Sequence, residues 1–131
     1  KATNAQAAEQ ALKPWPKVHW IAGGVAKADG IAPLAPWFDR LEQAYLIGES
    51  EADFAKTLKG KAKTVKCGTL EAAVQAAFDA AKASGAANPI VLLSPACASF
   101  DQFKDFEARG DAFREIVRRL AAQVEPQKEA V

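Results

Sequence analysis

TVKCGTLEAAVQAAFDAAKASGAANPIVLL, residues Thr64 to Leu93, reads as strand, helix and strand in succession. Thr64 to Cys67 is a short extended run, and Thr69 offers a hydroxyl to cap a helix beginning at Leu70. From Leu70 to Ala83, Leu70, Ala73, Val74, Ala77, Phe78 and Ala81 fall on one helical face. Gly85 ends the helix, and Pro89 to Leu93 is the most apolar run in the chain, which predicts a strand in the interior. Strands joined through a helix of this length make a right-handed crossover. They must lie parallel, in a sheet covered by helices on both faces.

Upstream the alternation repeats. Thr3-x-x-Gln6 predicts a capping box for a helix over Ala5 to Leu12, stopped by Pro14. Val18 to Ala22 reads as a strand ending at Gly23-Gly24, Pro33 to Leu41 as a helix, and Ala44 to Ile47 as a second buried strand. Ser50 with Asp53 opens a helix over Glu51 to Leu58, closed at Gly60. Downstream, one or two helical turns from Phe100 through Phe106 precede a helix over Asp111 to Gln123, with Phe113, Ile116, Val117 and Leu120 at helical spacing. The expected architecture is α/β: a Rossmann-like three-layer domain with a mostly parallel sheet. It covers residues 1–124, and 125–131 read as a frayed tail.

With 131 residues the chain can bury a core without disulfides or a structural metal. Its 17 basic and 16 acidic residues leave a net charge of +1, which argues against a nucleic-acid binder. No apolar run approaches the roughly 20 residues that span a bilayer, and no signal-peptide pattern is present, so a cytoplasmic protein is the expectation. Cys67 and Cys97 lie far apart with no zinc-ligand spacing and read as reduced, buried thiols. The absence of methionine, and an opening at Lys1 almost directly on a helix signal, predict a piece of a longer protein cut near a domain boundary.

In a parallel sheet ligands bind beyond the carboxyl ends of the strands. Two loops stand there: Gly23-Gly24-Val25-Ala26-Lys27, and Ser94-Pro95-Ala96-Cys97-Ala98-Ser99. The double glycine allows close approach of a ligand to the backbone, and Lys27 reads either as a cation for a carboxylate or phosphate or as a solvated lysine. Ser99 either caps a helix through Ser-x-x-Gln102 or forms a carboxylate site at that helix terminus. Thr3 and Asn4 read first as caps, and Lys1 as an end residue. His19, the single histidine, lies in a presumed buried strand and reads as structural. Phe100, Phe103, Phe106 and Phe113 read mainly as core, and Lys59-Gly60-Lys61-Ala62-Lys63 as a solvated loop. No Gly-x-x-x-x-Gly-Lys-Ser/Thr phosphate loop occurs, so nucleotide binding in that manner is not expected of this chain alone.

Lys1-Ala-Thr-Asn4, Gly23-Gly24-Val-Ala-Lys27 and the run from Leu92 through Ser94-Pro-Ala-Cys-Ala-Ser99 to Arg109-Gly110 together resemble the Mur ligase family, and within it the ligases that add D-glutamate. Ala44 to Glu49 and Cys67 to Val74 are similar as well, so the likeness covers nearly everything but the tail. The resemblance implies the carboxyl-terminal domain of a three-domain, ATP- and Mg2+-dependent amide ligase acting on UDP-N-acetylmuramoyl-L-alanine. It implies that Thr3, Lys27, Ser99 and Phe106 bind D-glutamate, that Lys1 and Asn4 lie near the nucleotide phosphates, and that the domain binds no cofactor itself, is a monomer and is inactive alone. The loop departs from the family in carrying Val25-Ala26 where Asp and Gly are common before the lysine. The sibling that adds diaminopimelate or lysine carries an Asp-Asn-Pro-Arg motif that is missing here. A free-standing flavodoxin-like binding or interaction module is the alternative of a different class, since fold alone does not fix function.

Overall fold

A computed structural model describes residues 3–86 and 88–130, with side-chain detail through Ala122. Among the described residues six strands and four α-helices follow in the order α1 Ala5–Leu12, β1 Val18–Gly23, β2 Val25–Ala26, a 3-10 helix Ala32–Arg40, β3 Leu41–Ile47, α2 Glu51–Leu58, β4 Thr64–Gly68, α3 Leu70–Ala83, β5 Val91–Leu93, β6 Cys97–Ala98 and α4 Phe106–Ala130. The four longer strands form a parallel sheet in the order β4-β3-β1-β5. β2 and β6 pair antiparallel as a separate two-stranded ribbon.

Alternation along the strands divides the core into two layers. Trp20, Ala22, Ala44 and Leu46 face α1, the 3-10 helix and α2, where Leu12, Leu34, Phe38, Phe54 and Leu58 meet them. Ile21, Tyr45 and Ile47 point the other way, onto Leu70, Val74 and Ala77 of α3 and Ile116 and Leu120 of α4. Successive strand residues point to opposite faces, so both faces of β1 and β3 are covered and a three-layer α/β architecture results. Each fully buried Leu, Ile or Phe contributes about 1.5–3 kcal/mol.

Several expectations are corrected in detail. Asn4, not Thr3, caps α1: its Oδ1 accepts the Ala7 N–H at 2.8 Å, because the first helical residue is Ala5. The segment Ala32–Arg40 is a 3-10 helix, in keeping with Pro33 at its start and Pro36 inside it, neither of which can donate a backbone hydrogen bond. Ser50 occupies the N-cap position of α2 without a side-chain cap bond; its hydroxyl is engaged elsewhere, with Gly24. β5, the most apolar strand by composition, is a half-buried edge strand, and the fully buried central strand is β1. Residues 100–105 are turns and bends. α4 begins at Phe106, where Asp105 Oδ1 accepts the Ala108 N–H at 2.7 Å. Among the described residues no helix is long and apolar enough to cross a membrane.

Candidate ligand site at the carboxyl edge of the sheet

The loops after β1, β3, β4 and β5 converge at one edge and are tied to one another. Gly23 N–H donates to the Pro95 carbonyl at 3.0 Å, and the Trp20 indole N–H donates to the Ser94 carbonyl at 2.8 Å. The Gly24 N–H reaches Ser50 Oγ at 3.1 Å, which in turn lies 3.6 Å from Cys97 Sγ. Asp101 Oδ2 accepts the Glu49 N–H at 3.0 Å, and Gln102 Nε2 donates to the Gly68 carbonyl at 2.6 Å. The two loops singled out in the sequence are therefore neighbours. Their ribbon pairs Val25 with Ala98 and Ala26 with Cys97.

This ribbon changes the meaning of Gly23-Gly24. Both have φ near +130°, and a Cβ at Gly23 would overlap the Ile47 carbonyl oxygen while one at Gly24 would overlap that of Ala98. The close approach that demands glycine is thus to β3 and β6, rather than to a ligand as the sequence suggested. The departure Val25-Ala26 forms strand β2 itself.

Lys27 leaves the ribbon exposed and lines a cleft of about 560 Å³ with Asn4, Gln6, Glu9, Asp29 and Gly30. The cleft thus unites the start of α1 with the glycine loop, and two carboxylates, Glu9 and Asp29, share it with Lys27. Thr3, half-buried, immediately precedes the Asn4 cap. Lys1 lies outside the described residues.

Ser99 and Phe106 are placed differently. Ser99 caps no helix: its carbonyl accepts the Gln102 and Phe103 N–H groups at 3.1 and 2.8 Å, while its hydroxyl is buried without a partner. Phe106 is the first residue of α4 and 37% exposed. Antiparallel pairing sets Lys27 and Ser99 at opposite ends of the ribbon, about 10 Å apart at a rise of ~3.4 Å per residue. Phe100 is 71% exposed, whereas Phe103 and Phe113 pack against the α3–α4 core.

Sequence reasoning passed over Arg109, which is 2% exposed and donates from NH1 to the Cys97 carbonyl at 2.9 Å. Both cysteines are free thiols. Burial pushes the Cys97 thiol up to about 11, and Cys67, only half-buried, is also raised, by burial and by Glu51. The described residues contain no cluster of His, Cys, Asp and Glu able to hold a metal ion.

His19 sits away from this edge, 5% exposed, with Nδ1 2.8 Å from the Tyr45 hydroxyl. Burial lowers its pKa from the usual 6.5, partly opposed by Glu42, and burial raises that of Tyr45 to about 12. An imidazole that resists protonation in the folded chain takes up its proton preferentially on unfolding. Its contribution to stability is therefore whole above the unfolded value of 6.5 and declines as pH falls from there through the folded value. The melting temperature should drop between neutral and mildly acidic pH, and by less in His19→Gln. Parallel pH profiles for the two proteins would refute this.

The fold is that of a Rossmann-like α/β domain, and the converging loops form a candidate site where parallel strands end. No protein-family model matches the chain. It is, however, 62% identical over 122 residues to the UDP-N-acetylmuramoylalanine--D-glutamate ligase of Caulobacter vibrioides, 59% identical over 120 residues to that of Nitrobacter hamburgensis and 58% identical over 121 residues to that of Phenylobacterium zucineum. These matches take in 92–93% of this chain but 26% of each relative. The chain is homologous to a segment of UDP-N-acetylmuramoylalanine--D-glutamate ligases and spans about a quarter of their length.

Proposed function

We propose that this chain is the carboxyl-terminal, amino-acid-binding domain of an ATP-dependent ligase that joins D-glutamate to UDP-N-acetylmuramoyl-L-alanine in peptidoglycan precursor synthesis, in the cytoplasm. The observation that carries the reading is the ribbon, which fixes Lys27 and the 94–99 loop on one side of one sheet edge, in a chain so similar to ligases of that name. ATP with Mg2+, held by other parts of the ligase, supplies activation of the acceptor carboxylate as an acyl phosphate.

In this reading the chain contributes position. The Lys27 ammonium pairs with one carboxylate of D-glutamate, and Thr3 adds a hydroxyl near the start of α1. Ser99 and Phe106, flanking the turn 100–105, meet the other carboxylate. Because the Ser99 hydroxyl is buried, that contact requires the turn to move aside. Lys1 and Asn4 are assigned to the nucleotide phosphates. With both carboxylates held, the amine is directed at the acyl phosphate. The gain is one of proximity, without general acid or base work by this chain.

The chain alone should therefore bind D-glutamate weakly and ligate nothing. Titration with D-glutamate, tracked by amide chemical shifts, should perturb Thr3, Lys27 and Ser99; shifts confined to other regions would count against the site. ATP-dependent ligation by the isolated chain would overturn the assignment of activation to other domains.

A further inference from the structure

Arg109 presents a problem that the proposed function does not solve. It is a cation buried in the first turns of α4, and it makes no ion pair among the described residues. The neighbouring acid, Asp101, spends Oδ2 on the Glu49 N–H. Of the guanidinium nitrogens, NH1 holds the Cys97 carbonyl at 2.9 Å and NH2 is buried without a partner. For stability alone an apolar side chain of similar volume would serve as well or better, because desolvating an unpaired cation is costly.

What the side chain does secure is geometry. The Asp105 cap fixes the start of α4 and hence the origin of the Arg109 side chain. The carbonyl it grips belongs to β6, on the residue paired with Ala26, and Lys27 comes directly after Ala26. Each ribbon strand has only two residues and gains little from its own ladder. An external clamp is what such a short ribbon lacks.

We infer that Arg109 is a positioning residue, which anchors the β2–β6 ribbon to α4 and thereby fixes where Lys27 and the 94–99 loop stand relative to each other. Its ligand, D-glutamate, rests on the function proposed above; its mechanical role does not. The planar fork of arginine reaches the carbonyl in one orientation, whereas a lysine ammonium on its flexible stem does not reproduce that constraint.

The test compares the chain with Arg109→Lys and Arg109→Met by amide hydrogen exchange and by D-glutamate titration, well below the melting temperature of each. Exchange at Val25, Ala26, Cys97 and Ala98 should speed up about tenfold or more while Ile21 and Tyr45 in the central strands keep their protection. D-Glutamate affinity should fall about fivefold or more in the same variants. If Arg109→Met does not fold, Arg109→Lys carries the comparison. Unchanged ribbon exchange, or acceleration equal at Ile21 and Tyr45, overturns the inference, the second result by reducing Arg109 to a general stabiliser. Failure of the unsubstituted chain to take up D-glutamate would sink the functional reading, and the exchange comparison would still decide the role of Arg109.

Discussion

Gly23→Ala is expected to destabilise the chain by about 3 kcal/mol, combining ~1–3 kcal/mol of backbone strain with ~1–3 kcal/mol of steric overlap. Gly23 has φ of +133°, and the added methyl would overlap the carbonyl oxygen of Ile47. That oxygen cannot retreat cheaply. Ile47 is in register with Gly23 on β3, and β3 is pinned on its other side by β4. The lost freedom of the unfolded glycine returns only about 0.4–1 kcal/mol. Gly60→Ala is the matched control: it also has positive φ, +77°, but a Cβ there meets nothing within 4 Å. Its cost should be that of conformation alone. Urea denaturation should separate the two variants clearly, and equal midpoints would show that β1 and β3 are not so closely apposed.

Lys27→Ala, made in the whole ligase proposed here, should raise the KM for D-glutamate about hundredfold, the equivalent of a charge-assisted hydrogen bond of ~2–3 kcal/mol. The kcat should fall much less, because the reacting groups belong to substrate and acyl phosphate. Stability should hardly change, since Lys27 is exposed and forms no ion pair among the described residues. This separation of effects is the diagnostic result. A KM within a few-fold of the unsubstituted enzyme would make Lys27 a solvated loop lysine and leave the cleft beside Asn4 without a cation for the carboxylate.

The parts of the fold legible in the sequence are those governed by period and local caps. The bounds of α1, α2 and α3 emerge as read, and Thr69 caps α3 by accepting the Ala72 N–H at 3.2 Å. His19 proves to be buried, as its place between Val18 and Trp20 suggested, and its bond to Tyr45 is added by the structure. What was illegible depends on distant segments. Two-residue strands have no period to detect, so the ribbon, and with it the reason for Gly23-Gly24, emerges only in three dimensions. Composition ranks strands by hydrophobicity but does not say which is central, hence the exchange of roles between β1 and β5. Ser99 with Gln102 three residues on fits a capping pattern, but Gln102 is recruited by Gly68 and the helix starts later, at Phe106, with Asp105 accepting from the Ala108 N–H. Arg109, in a helix whose other charged residues up to Arg119 are exposed, gives no sign of burial in the sequence; its carbonyl partner lies twelve residues away.

The strand order leaves β4 as one margin of the sheet, with unpaired backbone groups that could template a second strand. Val65 there is exposed, an apolar side chain on an open margin. Lys61 and Lys63 immediately before it and Lys66 beyond it are exposed too. Another molecule approaching this margin in register would confront lysines with lysines. Exposed lysines on an edge strand are a common way for a sheet to discourage a further strand from adding, so the basic loop that first read as solvation lies where charge has a second physical consequence.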